Sequence, residues 1–159
     1  MDRPDHLGQS MISIAVAQLE DAADWAAMRQ SLWPKGDPGT HGADIAQLLA
    51  APGDEINLIA RADDGRPAGF AEAGLRHDYV NGTQSSPVAF LEGIYVDPAF
   101  RRTGVARQLV HAVEHWARQL RCSELASDTG IANIASQQLH EALGFTETQR
   151  VVYFRKALD

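Results

Sequence analysis

The sequence predicts an α+β fold: a central mixed, mostly antiparallel sheet with helices on both faces. Three observations predict it. Strand-like segments outnumber helical ones, in the order β-α-α-β-β-β-α-β-α-β-β. Several strand segments follow one another through short polar turns, the mark of antiparallel hairpins. One β-α-β unit, residues 88–128, links its strands through a long helix and therefore requires a parallel pair.

Each element has its own signal. Residues 11–16 alternate in polarity and predict a first strand. Residues 20–32 carry Ala23, Ala26, Ala27 and Leu32 at helical spacing, with Asp21 near the start. "WPKGDPG", from Trp33, breaks that helix as a loop, and 41–51 predicts a second helix closed by Pro52 and Gly53. Strands are expected over 56–62 and 67–76, joined by the Asp-Gly turn "DDGR". A polar stretch, "HDYVNGTQSS", leads to a third strand at 88–96. Residues 104–120 give the strongest helix, with Leu109, Val113, Trp116 and Leu120 as its apolar stripe. A short strand at 124–127, a helix at 131–143 and two closing strands within 145–156 complete the chain.

The length of 159 residues suits one core, so residues 11–159 read as a single domain behind a polar tail, 1–10. A formal net charge of -7 argues against nucleic acid and favours cationic partners. No apolar run is long enough to span a bilayer, and no secretory leader is visible. Cys122 is the only cysteine, which excludes an internal disulfide and fits a reducing, cytoplasmic setting; it reads as buried filler. "HAVEH", 111–115, has the spacing of some zinc-binding helices, but His111 falls on the polar face beside Arg107, Glu114 and Arg118. No third ligand accompanies it at a plausible spacing, so no metal is expected.

Against this acidic background, positive charge gathers at one turn. "VDPAFRRTGVARQLV" sets Arg101, Arg102 and Arg107 around a strand end and a helix start. Unpaired N–H groups at a helix N-terminus attract anions, and Gly104 and Ala106 allow close approach to the backbone. Such a turn suits a pyrophosphate. It is not a Walker loop, since no Gly-Lys-Ser/Thr follows, and the Gly-x-Gly-x-x-Gly fingerprint is absent.

"RRTGVA", Arg101 to Ala106, resembles the Gln/Arg-x-x-Gly-x-Gly/Ala signature of the GNAT N-acetyltransferase family. "NIASQQLHEALGF" is similar to a second element of that family at Asn133, Ser136, Leu139, Gly144 and Phe145. The resemblance implies acetyl-CoA as cosubstrate, without metal, on a GNAT-like sheet containing a splayed parallel pair. It implies that backbone amides over Arg101, Arg102, Thr103, Gly104, Val105, Ala106 and Arg107 hold the pyrophosphate. The strand Ile94, Tyr95 and Val96 would pair with the pantetheine arm. Asn133, and His140 in the second motif, would face the cofactor.

Within the family, "LWPKG", "RHDYVNGTQSSPVAFLEGIYV", "ASDT" and "SQQLHEALGF" are similar to the aminoglycoside 6′-N-acetyltransferases of the chromosomal, dimeric type. That similarity implies a polycationic antibiotic substrate, resistance as the outcome, and a homodimer built through the last strands and the loop around Tyr79. It implies antibiotic contacts from Trp33, Tyr79, Glu92 and Asp128. Each also has a plainer reading: Trp33 as a loop anchor, Tyr79 as a pin for its loop, Asp128 as a cap for the helix near Ile131. Glu92 sits in an apolar strand, where a carboxylate seldom serves packing.

The implied chemistry is direct attack of the 6′-amine on the thioester, with Glu92 or Asp128 accepting its proton and an N–H near Tyr95 or Val96 facing the oxyanion. The acid for the departing thiolate stays unassigned, because many relatives place a tyrosine where this chain has His140. Relatives also tend to carry a carboxylate at Gln149. Glu147, two residues earlier on the same face of a regular strand, either replaces it or leaves some antibiotics less tightly held. Two other readings stand beside this one: acetylation of a different amine, such as a polyamine or a protein N-terminus, and a non-catalytic acyl-CoA sensor.

Overall fold

Strand-forming runs pair in chain order. In the computed structural model, which describes residues 11–159, β1 (Ile12–Val16), β2 (Glu55–Ala62), β3 (Pro67–Arg76), β4 (Val88–Val96) and β5 (Leu125–Ser127) form one sheet in the order β1-β2-β3-β4-β5. The expected tail, 1–10, lies outside the described residues. The first three pairings are antiparallel, and β4–β5 is parallel, so the mixed sheet is as the sequence predicts. The β2–β3 turn places Gly65 at φ +87°, and Ala62 N–H donates to the Arg66 carbonyl at 2.9 Å.

Two helical layers cover the sheet. α1 (Ala22–Leu32) and α2 (Pro38–Ala50) bury Trp25, Met28 and Ile45 against Ile59 and Phe70 on one face. α3 (Val105–Gln119) buries Val105, Leu109, Val110 and Val113 against Leu58, Ala60, Ala71 and Leu91 on the other. The period-2 alternation of Leu58, Ile59 and Ala60 thus feeds two cores from one strand. β3 is buried from Ala68 to Gly74, as expected of a strand covered on both sides. α4 (Ile134–Ala142) follows β5 and buries none of its residues fully.

Four expectations need correction. α2 begins at Pro38 rather than His41, because Asp37 accepts from Gly39 N–H at 3.3 Å and proline fits a first helical position. α4 begins at Ile134 rather than 131, capped by Asn133, whose Oδ1 accepts from Ser136 N–H at 3.1 Å. Leu120 lies past the end of α3 and is 42% exposed, so Val110 and Ala117, not Leu120, complete the buried stripe. Residues 145–156 form no strand. A strand needs a partner for its backbone groups, and no segment of the described chain pairs with this one. Cys122 is half-buried and free, and His111 and His115 face outward from α3.

Candidate active site

The β4–β5 ladder is short. Its last parallel partners are Leu91 and Ser127, after which the two strands have no register. Beyond that point β4 continues to Val96, paired only with β3 through Ile94–Ala71, Tyr95–Phe70 and Val96–Gly69. The half-buried residues Ile94, Tyr95 and Val96 therefore present a main-chain edge that β5 leaves unpaired. Such an edge accepts an extended ligand as it would another strand.

A few residues on, the chain turns into α3. Pro98–Phe100 makes a 3-10 turn capped by Asp97, and Arg102 and Gly104 take positive φ of 63° and 88°. A β-carbon at Gly104 would meet nothing within 4 Å, so the glycine answers to backbone geometry and the space above it is open. The first helical hydrogen bond runs from Gln108 N–H to the Gly104 carbonyl at 3.0 Å, leaving the amides of Val105, Ala106 and Arg107 ahead of the ladder. Arg101, Arg102, Thr103 and Arg107 are exposed around them. Arg101 Nε donates to the Val96 carbonyl at 3.0 Å and Arg107 Nη2 to the Ala142 carbonyl at 3.3 Å, which ties the turn to β4 and to the end of α4. Free amides, an open glycine and three guanidiniums fit a diphosphate.

Glu92 and Asp128 each follow the last residue that the β4–β5 ladder pairs on their strand. Glu92 is the extra residue of a β-bulge: Glu72 pairs with Gly93 and Ala73 with Leu91. A bulge re-aims a side chain, and here it turns Glu92 out of the core to an exposed position. The Glu92 carboxylate is held by Arg76, whose Nη2 lies 3.0 and 2.9 Å from its two oxygens and whose Nε lies 3.2 Å from one. Asp128 is exposed, and no hydrogen bond or ion pair engages its side chain among the described residues. It does not cap a helix, since Asn133 does.

The two carboxylates open onto different concavities. Glu92 lines a cleft of about 200 Å³ with Asp54, Glu55, Asn57 and Glu72. Asp128 lines a wider groove of about 860 Å³ with Ser127, His140, Phe145, Glu147 and Gln149. The pairing of Glu147 with Gln149 on one strand face is not realised, because that segment is not a strand. Glu147 instead pairs with Arg150, whose bonds and charge hold its carboxyl below the usual range. His140 Nδ1 lies 2.7 Å from the Ser136 carbonyl, which only accepts, so this nitrogen carries hydrogen. Its Nε2 lies 2.8 Å from Ser127 Oγ.

Trp33 is half-buried and packs as an anchor for its loop. It caps α1 and stacks with His41 at 6.3 Å between ring centroids. It also fills the space over Gly93, where a β-carbon would lie 2.7 Å from the indole. Tyr79, 74% exposed, does not pin its loop by burial. That loop is held at its far end by Glu124, which accepts from Gln84 N–H at 2.9 Å and from the Ser85 hydroxyl.

Sequence reasoning missed a buried group beneath this site. Glu72 on β3 receives Arg29 Nε at 2.8 Å and Nη2 at 2.9 Å, and Trp25 Nε1 at 3.3 Å. Burial opposes the Arg29 charge, but the bonds and charges of Glu72 and then Asp44 outweigh it and raise its pKa above the ordinary arginine value. Arg29 also lies 5.1 Å over the Trp33 ring. The available signal was a glutamate in the apolar run "FAEAG", matching the one that drew notice to Glu92.

A strand edge left open beside a glycine-capped, arginine-flanked helix start defines an acyl-CoA transferase architecture, and the acetyltransferase (GNAT) family matches residues 22–145. The chain belongs to that family. It is 52% identical over 145 residues to an aminoglycoside N(6′)-acetyltransferase type 1 of Serratia marcescens, covering 91% of this chain and 99% of that one. Among solved structures it is similar to AAC(6′)-Iy in complex with the bisubstrate analogue CoA-S-monomethyl-acetylneamine, at TM-score 0.87 and 46% identity, covering 94% of this chain and 100% of that one. The aminoglycoside 6′-N-acetyltransferase AAC(6′)-Ih of Acinetobacter baumannii matches at TM-score 0.88 and 44% identity, with the same coverage.

Proposed function

We infer that the protein transfers the acetyl group of acetyl-CoA to the 6′-amino group of aminoglycosides. The observation that carries this reading is the end of the β4–β5 ladder at Leu91 and Ser127. It sets a free strand edge, the diphosphate turn and two carboxylates at one end of the sheet. Relatives at about half identity that are named for this reaction support the substrate class. Acetylation removes a positive charge from the antibiotic, the chemical basis of resistance.

Acetyl-CoA supplies a thioester carbonyl to the attacking amine. The amides of Val105, Ala106 and Arg107, flanked by Arg101, Arg102 and Thr103, hold its diphosphate beside Gly104. Ile94, Tyr95 and Val96 align its pantetheine arm, and a main-chain N–H near Tyr95 or Val96 faces the carbonyl oxygen. Asn133 and His140 border the arm from α4. An ammonium has no lone pair, so a proton must leave before attack. Asp128 is the better acceptor of the two candidates, because no partner among the described residues engages it, whereas Glu92 is bonded to Arg76. Glu92, Asp128 and Glu147 supply negative potential to a polycation, with Tyr79 as a flat exposed surface. Trp33 contributes by shaping the bulge beneath Glu92.

We place the enzyme in the cytoplasm as one domain, 11–159, acting as a homodimer. No helix among the described residues is long and apolar enough to cross a membrane. The dimer is supported by Val152, Tyr153 and Phe154, exposed at 78%, 82% and 93%, on a segment expected to be strand. It is also supported by the unpaired outer edge of β5. A second copy would give this segment the strand partner it lacks.

Thiol release from acetyl-CoA separates the readings. Release with kanamycin or tobramycin, and not with spermidine or an N-terminal peptide, is the expected result. Release only with the latter amines assigns a different acceptor, and CoA binding with no release assigns a sensor.

A further inference from the structure

The cleft beside Glu92 is lined by four carboxylates, and three of them already meet a basic side chain. Glu72 is bonded to Arg29, Glu92 to Arg76, and Asp54 lies 3.2 Å from His77. The two arginines are not equivalent. The Arg29 side chain is 10% exposed and locked by Glu72 and Asp44. The Arg76 side chain is 42% exposed, its bonds run to Glu92, and the Glu92 side chain is 44% exposed. Arg76 is also the last residue of β3, where the chain leaves the sheet for the loop carrying Tyr79. Its guanidinium carbon also sits 3.5 Å from the centroid of the Phe90 ring, a second contact that does not involve Glu92.

We propose that Arg76 is a specificity-determining residue: it occupies Glu92 as an internal cation that a multiply charged amine displaces and a singly charged amine does not. This rests on the aminoglycoside reading above. The guanidinium is tethered to the strand beside Glu92, so its effective concentration there is on the order of millimolar or higher. A free monoamine must compete with that concentration, and against two-pronged hydrogen bonding that an ammonium cannot match. A polycation with another of its charges already held at Asp128, which no described residue engages, is itself tethered, and competes on equal terms. Once displaced, Arg76 stays on the face of Phe90. Selection against the wrong ligand thus comes from an occupied carboxylate rather than from a missing contact.

Arg76→Gln and Arg76→Lys test this through kcat/KM for kanamycin and for 6-amino-6-deoxyglucose, which carries one amine. Folding is followed by thermal melting, and CoA binding by calorimetry. The expected result is a fall of about tenfold or more in the kanamycin-to-monoamine ratio for the Gln variant. A smaller fall, about threefold, is expected for Lys, which keeps the charge but not the two-pronged bond. Should the Gln variant not fold, the Lys ratio decides. A ratio that stays constant while both activities fall assigns Arg76 a purely structural role and overturns the proposal, as does a rise. Wild-type protein that acetylates neither compound contradicts the aminoglycoside reading itself, a different outcome from an unchanged ratio.

Discussion

Glu72 carries a carboxylate whose side chain is only 8% exposed, and its charge is tolerated because Arg29 and Trp25 donate to it. Removing one partner of a buried pair strands the other, so Glu72→Gln should lower unfolding free energy by roughly 3–5 kcal/mol, read from urea titration. The apolar run around Glu72 marks a carboxylate out of place but does not name its partner, since Arg29 lies 43 residues away on α1. A separation of 16 residues likewise hid Arg76 from the reading of Glu92. The sequence marked Glu92 as a carboxylate in an apolar strand, but not the bulge that exposes it or the guanidinium that holds it. Asp128→Asn should lower kcat by about a hundredfold or more, the ordinary scale for losing a general base. Glu92→Gln should act mainly on KM, and steady-state kinetics with kanamycin separates the two.

At the scale of elements, the loop from His77 to Pro87 shows how a surface segment is fixed without a core. Glu124, at the foot of β5, accepts from the Ser85 hydroxyl and from Gln84 N–H, and these bonds lower its carboxyl pKa below the ordinary value of 4.5. A carboxyl depressed in the folded state contributes stability above its unfolded pKa and loses it as pH falls through the folded one. The protection factor of the Gln84 amide should therefore stay high above about pH 5 and fall on acidification below the ordinary glutamate range. In Glu124→Gln it should be lower at neutral pH and respond little further to acid. This tether was illegible because Glu124 and Ser85 belong to different elements. Helix starts were partly legible. Glycine at the head of α3 announced itself through its neighbours, whereas "GDPG" reads as a breaker although Asp37-Pro38 is an ordinary way to begin a helix.

For the whole molecule, alternating polarity and connection length indicated the first five strands, the hairpins and the one parallel pair, because each of those is settled by local pattern. The closing strands were not settled that way. Their apolar residues are real, but the described residues of one copy offer them no partner, and Val152, Tyr153, Phe154 and Leu158 stand exposed beside a sheet whose outer edge is open among those residues. Light scattering after size exclusion should give twice the mass of one chain. Truncation after Gln149 should give a monomer with sharply reduced turnover.

This sheet end delivers acetyl from acetyl-CoA to one nitrogen of an aminoglycoside. NMR of the kanamycin product formed with carbonyl-labelled acetyl-CoA tests it most directly. A single new amide coupled to the 6′ methylene protons is the result expected. An unmodified antibiotic, or an amide at any other nitrogen, would contradict the account.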